Sequence, residues 1–199
     1  QTRPFFLNIS FHRPHPPIDP PQVYYDLYKD EDLPPVPVGT WADKHAVKIE
    51  SVDAWHGKLE NRLLDRMRRA YFAQIAHIDN QIGRVLRYLN HNTIGPNIII
   101  FTSDHGEMLG DHNLFRKGYA FEGSSRIPMI ISQAGSVKSK LEESPVVIED
   151  LYPTILDLAG IKPLSDIDGV SLFPFCGDTG FLSDRDYIHG EHSKIYDKN

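Results

Sequence analysis

A single cysteine, Cys176, leaves this 199-residue chain no internal disulfide framework and no cysteine-based zinc cluster. No run approaches roughly eighteen uninterrupted apolar residues, which excludes a membrane-spanning helix. Positive charge is also scarce. Lysine and arginine number 21 against 27 acidic residues, a formal net charge of −6. A general nucleic-acid binder would show a basic patch and a high pI, so that class is set aside. An initiator methionine and a signal peptide are missing as well, because the chain opens Gln1-Thr2-Arg3-Pro4. The end at Asn199 carries no stop or cap signal, and the expectation is a piece of a longer protein. What is present is ordinary for a globular domain: 40% hydrophobic and 24% charged residues. The length allows one large domain or one and a half.

Residues 5–11 are mostly apolar and read as a buried strand. About fifty residues with little pattern follow, opened by the proline-dense His12-Arg13-Pro14-His15-Pro16-Pro17. Proline fixes φ and removes donors, so this stretch is neither helix nor central strand. Loops of that length are functional or disordered. Between residues 64 and 89, Leu64, Met67, Tyr71, Ile75, Ile78, Ile82, Val85 and Leu89 recur in steps of three and four. That spacing predicts a long amphipathic helix. Residues 97–102 predict a central parallel strand, and 127–131 another strand. Residues 146–148 and, weakly, 185–189 are further strand candidates. Glu149 and Asp150 place acids at the start of a helix running to Ala159, where Gly160 suits the C′ position. Strands alternating with helices predict an α/β sheet with covered faces.

In open α/β sheets, ligands bind beyond the carboxyl ends of strands. His12 and His15 follow the first strand candidate, and Ser103-Asp104-His105-Gly106-Glu107 follows the strongest one. Asp104 and His105 offer an oxygen and a nitrogen ligand on adjacent residues, and Gly106 permits the turn that would aim both at one divalent cation. A capped turn with satisfied polar side chains is the competing reading. Lys117 is a candidate point charge for an anion, or a solvated lysine. His15, between two prolines, stands on a stiff backbone suited to a fixed donor to a substrate oxygen, or is a surface histidine. Arg126 reads first as a salt-bridge partner of Glu122. His189 and His192 follow the last weak strand and are candidates for the same edge.

The segment Phe101-Thr102-Ser103-Asp104-His105-Gly106-Glu107-Met108-Leu109-Gly110-Asp111-His112, followed by Lys117, Glu122, Arg126 and Pro128, resembles the C-terminal signature of type I sulfatases. These belong to the alkaline phosphatase superfamily, with phosphonate monoester hydrolases as close relatives. Pro14-His15-Pro16-Pro17 is similar to the family's substrate-histidine segment. Tyr71-Phe72-Ala73-Gln74-Ile75-Ala76-His77-Ile78-Asp79, Asp150-Leu151-Tyr152-Pro153-Thr154 and Asp168-Gly169-Val170 also resemble family segments, in the expected order.

The resemblance implies a three-layer α/β/α sandwich with a mostly parallel sheet, incomplete in this chain. Residues 1–160 would form the central and C-terminal part of the catalytic domain, and 161–199 the start of the C-terminal region. Asp104 and His105 match metal ligands. His15 matches a histidine at the sulfate or its leaving oxygen, and Lys117 a lysine on the sulfate oxygens. Glu107, His112, Arg126, His189 and His192 are carried as substrate-binding or supporting positions. One divalent metal is implied, calcium first, with manganese or another transition metal as the alternative because His105 supplies nitrogen.

The family nucleophile, a formylglycine made from a Cys/Ser-x-Pro-x-Arg motif, is absent, as are the aspartates that complete the metal site. Cys176 in Phe175-Cys176-Gly177-Asp178 does not qualify. The expectation is a sulfuric ester hydrolase in the parent, acting on a small-molecule or carbohydrate sulfate ester, and negligible turnover by this chain alone. In the implied reaction the formylglycine hydrate attacks sulfur, and the metal and Lys117 neutralise oxygen charge. His15 assists the leaving oxygen. Export to the periplasm or outside the cell is the family-typical location. The alternatives are a phosphonate monoester or phosphodiester hydrolase, a non-catalytic anion- or carbohydrate-binding remnant and, as a poorer match, a metal-dependent phosphoglycerate mutase.

Overall fold

The computed structural model describes residues 3–50, 55–93, 95–133, 141–176 and 185–191. They fall into two compact units, 1–95 with 105–126 and 96–104 with 127–199.

The first unit is built on α3 (Asn61–Asn92), preceded by α1 (Gln22–Tyr25) and α2 (Thr40–His45) and followed by the short α4 (Glu122–Ser125). The periodicity anticipated α3. Its end comes at Thr93, which turns extended and returns both its N–H and its hydroxyl to the Leu89 carbonyl. The buried face differs from the apolar stripe. Met67, Arg68, Ala70, Ala73 and Gln74 are buried, whereas Ile75 is 44% exposed. Small alanines let neighbouring chain approach closely on that side, and this outweighs the count of large apolar residues. Tyr24 lies 4.8 Å from His77 and Tyr28 6.0 Å from Phe72, ring to ring. The Arg69 guanidinium donates to the carbonyls of Tyr28 and Glu31. Leu59, Met67 and Phe115 form the buried cluster, with Ile18, Ile49, Leu63, Leu64 and Leu109 around it. Burial of each large side chain contributes roughly 1.5–3 kcal/mol. The proline-rich region is therefore irregular but packed on α3.

The strand expected at residues 5–11 does not form. Phe5, Phe6, Leu7, Ile9 and Phe11 are all exposed, Phe6 at 72%. A strand requires a hydrogen-bonded neighbour, and the described residues provide none there.

In the second unit β1 (Ile98–Thr102) pairs with β2 (Met129–Gln133), Ile98 opposite Gln133 and Thr102 opposite Met129. The pairing is antiparallel, which corrects the expected parallel sheet at this place. Runs of isoleucine favour a strand but do not encode its direction. Among the described residues this is the only sheet. One 3₁₀ turn, Ile148–Asp150, leads into α5 (Leu151–Ala159), which stops at Gly160 with φ 67°. The strand expected at 146–148 is absent because Asp150 Oδ2 accepts the Val147 N–H at 2.9 Å and commits the backbone to helix entry.

Asp150 is fully buried and is the hub of this unit. Its carboxylate takes a two-pronged bond from Arg185, at 2.7 and 2.9 Å, and the Val170 N–H at 2.8 Å. Burial pushes its carboxyl upward, but Arg185 and the Val170 and Val147 amides outweigh that and hold it below the usual range. Residues 185–189 form no strand, and Arg185 is instead engaged with Asp150. Thr154 relays the order by donating to the Asp150 carbonyl and accepting the Leu172 N–H, each at 2.5–2.7 Å.

Candidate active site

The loop after His105 is wound tightly. Leu109, His112, Asn113 and Arg116 all have positive φ, as do Gly110 and Gly118. Such backbone costs free energy in non-glycine residues and persists only where surroundings fix it. Here Met108 and Phe115 are buried anchors, at 1% and 2% exposure. Backbone bonds tie the loop to distant chain: Phe115 N–H to Trp55 O, Gly57 N–H to Asn113 O, and His112 N–H to Pro37 O.

Gly106 is required for a reason other than a left-handed turn. A Cβ there would lie 2.2 Å from the Gly123 carbonyl oxygen. That close approach lets Gly106 N–H reach Ser124 O at 2.8 Å, while Ser124 Oγ accepts the N–H groups of Gly118 and Tyr119. The backbone just after Lys117 is thereby fixed.

Lys117 Nζ stands 2.8 Å from His15 Nε2, joining residues 102 positions apart. His15 Nδ1 is 2.9 Å from the Pro16 carbonyl, which only accepts, so Nδ1 carries the proton. Nε2 then presents its lone pair to the lysine. The His105 ring lies 6.2 Å from His15, edge to face, and the His12 ring 4.9 Å away. His105 Nδ1 donates to the Gly106 carbonyl at 2.8 Å, which fixes its tautomer and leaves Nε2 as the ligating type of nitrogen.

Glu107 is near enough for the charges of Lys117 and His105 to act on it. Its Oε1 accepts the Arg116 N–H. Burial raises its carboxyl above the usual value, opposed by the Arg116 and Leu109 amides and by the charges of Lys117 and His105. Tyr71 on α3 is pushed up to about 12, first by burial and then by the Glu107 charge.

The structure thus brings His15, Lys117, His105 and Glu107 together. His112 is placed differently: its Nδ1 accepts the Gly39 N–H at 3.1 Å, and its ring packs 5.4 Å from Trp41 and 4.9 Å from Phe121. Arg126 forms an exposed pair with Glu122 at 3.0 Å. Asp104 immediately precedes His105 in the chain and is exposed, as is His189. His192 lies outside the described residues. Among the described residues no group of three His, Cys, Asp or Glu side chains could hold a metal. Arg13 and Gln74, which brace the His15 segment, and Arg185 escaped sequence reasoning. Only the neighbourhood of Arg13 to His15 hinted at any of them.

The model of the sulfatase family matches residues 1–161. The chain belongs to the sulfatase family. It is 42% identical to an arylsulfatase of Clostridium perfringens, over 100% of this chain and 42% of that protein. To the multifunctional alkaline phosphatase superfamily protein PehA of Trinickia caryophylli it is 37% identical, over 95% of this chain and 40% of the relative. The solved phosphonate monoester hydrolase of Agrobacterium radiobacter superposes with a TM-score of 0.71 at 30% identity, covering 88% of this chain and 38% of that one. This sulfatase-family chain therefore spans about two fifths of the length of these curated relatives.

Proposed function

We propose that the chain supplies the leaving-group and oxyanion side of a sulfuric ester hydrolase, arylsulfatase-like, whose formylglycine nucleophile comes from sequence outside these residues. The observation that carries this reading is the Lys117–His15 contact at 2.8 Å, with His105 alongside. Two nitrogen groups converging at one spot suit a tetrahedral anion. Lys117 gives such an anion a charge-assisted hydrogen bond, and His15, with a proton on Nε2, gives a second one to the departing oxygen. In the resting arrangement Nε2 instead accepts from Lys117, so the proton for the departing oxygen is taken up from solvent while Lys117 keeps its charge.

His105, with its tautomer set by Gly106, and the adjacent Asp104 are the donors fit to hold a divalent cation. They supply part of a ligand set, and the remainder would come from the N-terminal portion of such an enzyme. When bound, the cation supplies charge neutralisation at the ester oxygens. Calcium comes first by family type, with manganese or another transition metal favoured by the nitrogen of His105. Residues 1–160 would complete a three-layer α/β/α catalytic domain with that portion, and 161–199 would open the C-terminal region. The chain alone is expected to show negligible turnover.

A second reading, phosphonate monoester or phosphodiester hydrolysis, is favoured by the likeness to the Agrobacterium radiobacter hydrolase. Both anions are tetrahedral and meet the same Lys117–His15 pair. Comparing kcat/KM for an aryl sulfate and an aryl phosphonate in the intact protein tests the proposal. Preference for the sulfate supports it, preference for the phosphonate replaces it with the second reading, and hydrolysis of neither overturns both.

A further inference from the structure

We propose that Gln74 and Arg13 are positioning residues that hold the His15 imidazole against Lys117. The proposal deepens the reading of His15 and Lys117 as oxyanion contacts and rests on it.

Gln74 lies on the buried face of α3, 2% exposed. Its Nε2 is 3.1 Å from the Pro17 carbonyl and 3.3 Å from Asp19 Oδ1, so both amide hydrogens go to the segment that carries His15. Its Oε1 is equally buried and has no hydrogen-bond partner among the described residues. An unsatisfied buried carbonyl costs free energy that leucine or methionine would avoid. Core packing therefore does not account for a glutamine here. What it adds is a pair of donors beside a segment poor in its own, since Pro14, Pro16 and Pro17 carry no N–H.

Arg13 closes the clamp from within the segment. Its Nη1 donates to the carbonyls of His15 at 3.1 Å and Pro17 at 2.7 Å, and its Nη2 lies 2.7 Å from Asp19 Oδ1. Asp19 is thus shared by Arg13 and Gln74. The imidazole is fastened in turn to the Pro16 carbonyl, between the two clamped carbonyls of His15 and Pro17. Fixing these carbonyls fixes the ring, and with it the 2.8 Å approach of Nε2 to Lys117. A ring displaced by about 1 Å leaves hydrogen-bond range, and misplacements of that size cost on the order of 100-fold in rate.

The test uses Gln74→Leu and Arg13→Lys in the intact enzyme, each alone and combined with His15→Ala. Turnover of an aryl sulfate is measured alongside long-range ¹H–¹⁵N spectra of the imidazoles, with His15 assigned by its loss in His15→Ala. Arg13→Lys keeps a charge facing Asp19 but loses the fork. The expected result is a fall in kcat of about ten- to a hundredfold, with KM nearly unchanged, and no further fall in the His15→Ala background. The His15 spectrum is expected to pass from a single Nδ1–H tautomer to an averaged one. A role in folding alone would lower turnover equally in both backgrounds and leave that spectrum intact, and it would overturn the proposal. If His15→Ala is crippled while Gln74→Leu and Arg13→Lys match wild type, the positioning role falls and the reading of His15 stands. If His15→Ala itself keeps full turnover, the reading of His15 fails and takes the proposal with it. Should Gln74→Leu not fold, Arg13→Lys decides, its side chain being 33% exposed.

Discussion

Replacing Asp150 by asparagine removes the charge at the centre of the second unit while keeping its shape. The carboxylate accepts four bonds, two from Arg185 and one each from the Val147 and Val170 amides. Asparagine retains one oxygen and turns a donor toward groups that are themselves donors. Arg185, 19% exposed, loses the carboxylate that its two-pronged bond engages. Breaking a buried pair from one side costs about 3–5 kcal/mol. The four bonds share one carboxylate, so their separate values do not add.

The reporter is the Leu172 amide, bonded to Thr154 Oγ1 at 2.7 Å and buried. At about 1.4 kcal/mol per decade, its native-state hydrogen exchange should speed up by about two to three and a half orders of magnitude. The effect is also pH-dependent. The Asp150 carboxyl is held below its ordinary value in the folded chain, so its contribution is present above the unfolded value of about 3.9. It is lost as pH falls through the folded value. Wild type and Asp150→Asn should therefore converge in acid. A change in exchange of less than about tenfold at neutral pH, or a difference that persists in strong acid, would refute the reasoning.

Other variants probe the first unit. Gly106→Ala drives a Cβ into the Gly123 carbonyl, 2.2 Å away, and should cost about 3 kcal/mol, read as a melting temperature lower by roughly 6–12 °C. An unchanged melting temperature would show that the close approach is not needed. Tyr71, at about 12, favours the folded chain below pH 10, and that advantage is lost as pH rises toward about 12. Tyr71→Phe should flatten the alkaline loss of stability. Glu107→Gln should lower the Tyr71 midpoint while leaving it above the ordinary value, because burial is the larger cause. A tyrosinate absorbance titration, taken as the difference from Tyr71→Phe, checks both.

Long periodic segments were the legible part of the fold. The three- and four-residue spacing marked α3, and acids before residues 151–159 with Gly160 after them marked α5. The side of α3 that is buried was not legible. Hydrophobic spacing weighs Ile75, whereas the side that is buried carries Ala70, Ala73 and Gln74. Isoleucine-rich runs identified β1 and β2 but not their antiparallel pairing, because side-chain preference carries no strand direction. The apolar residues 5–11 looked like a strand for the same reason, yet they lack a partner among the described residues. In the site, His15 and Lys117 were singled out separately, and only the fold joins them across 102 positions. Gly106 was noted for a turn, but its role is to let a carbonyl pass. Arg13, Gln74 and Arg185 act largely through backbone carbonyls or a single buried acid, and such partnerships leave no spacing to read.

The most direct test of the central claim is kcat/KM for an aryl sulfate in the intact protein, wild type against Lys117→Met. The side-chain stem is kept and only the charged donor is lost. Removal of one donor from an oxyanion site costs on the order of 100- to 1,000-fold, and a fall of that size is predicted. Undiminished turnover in Lys117→Met would contradict the assignment of the Lys117–His15 pair to the ester oxygens.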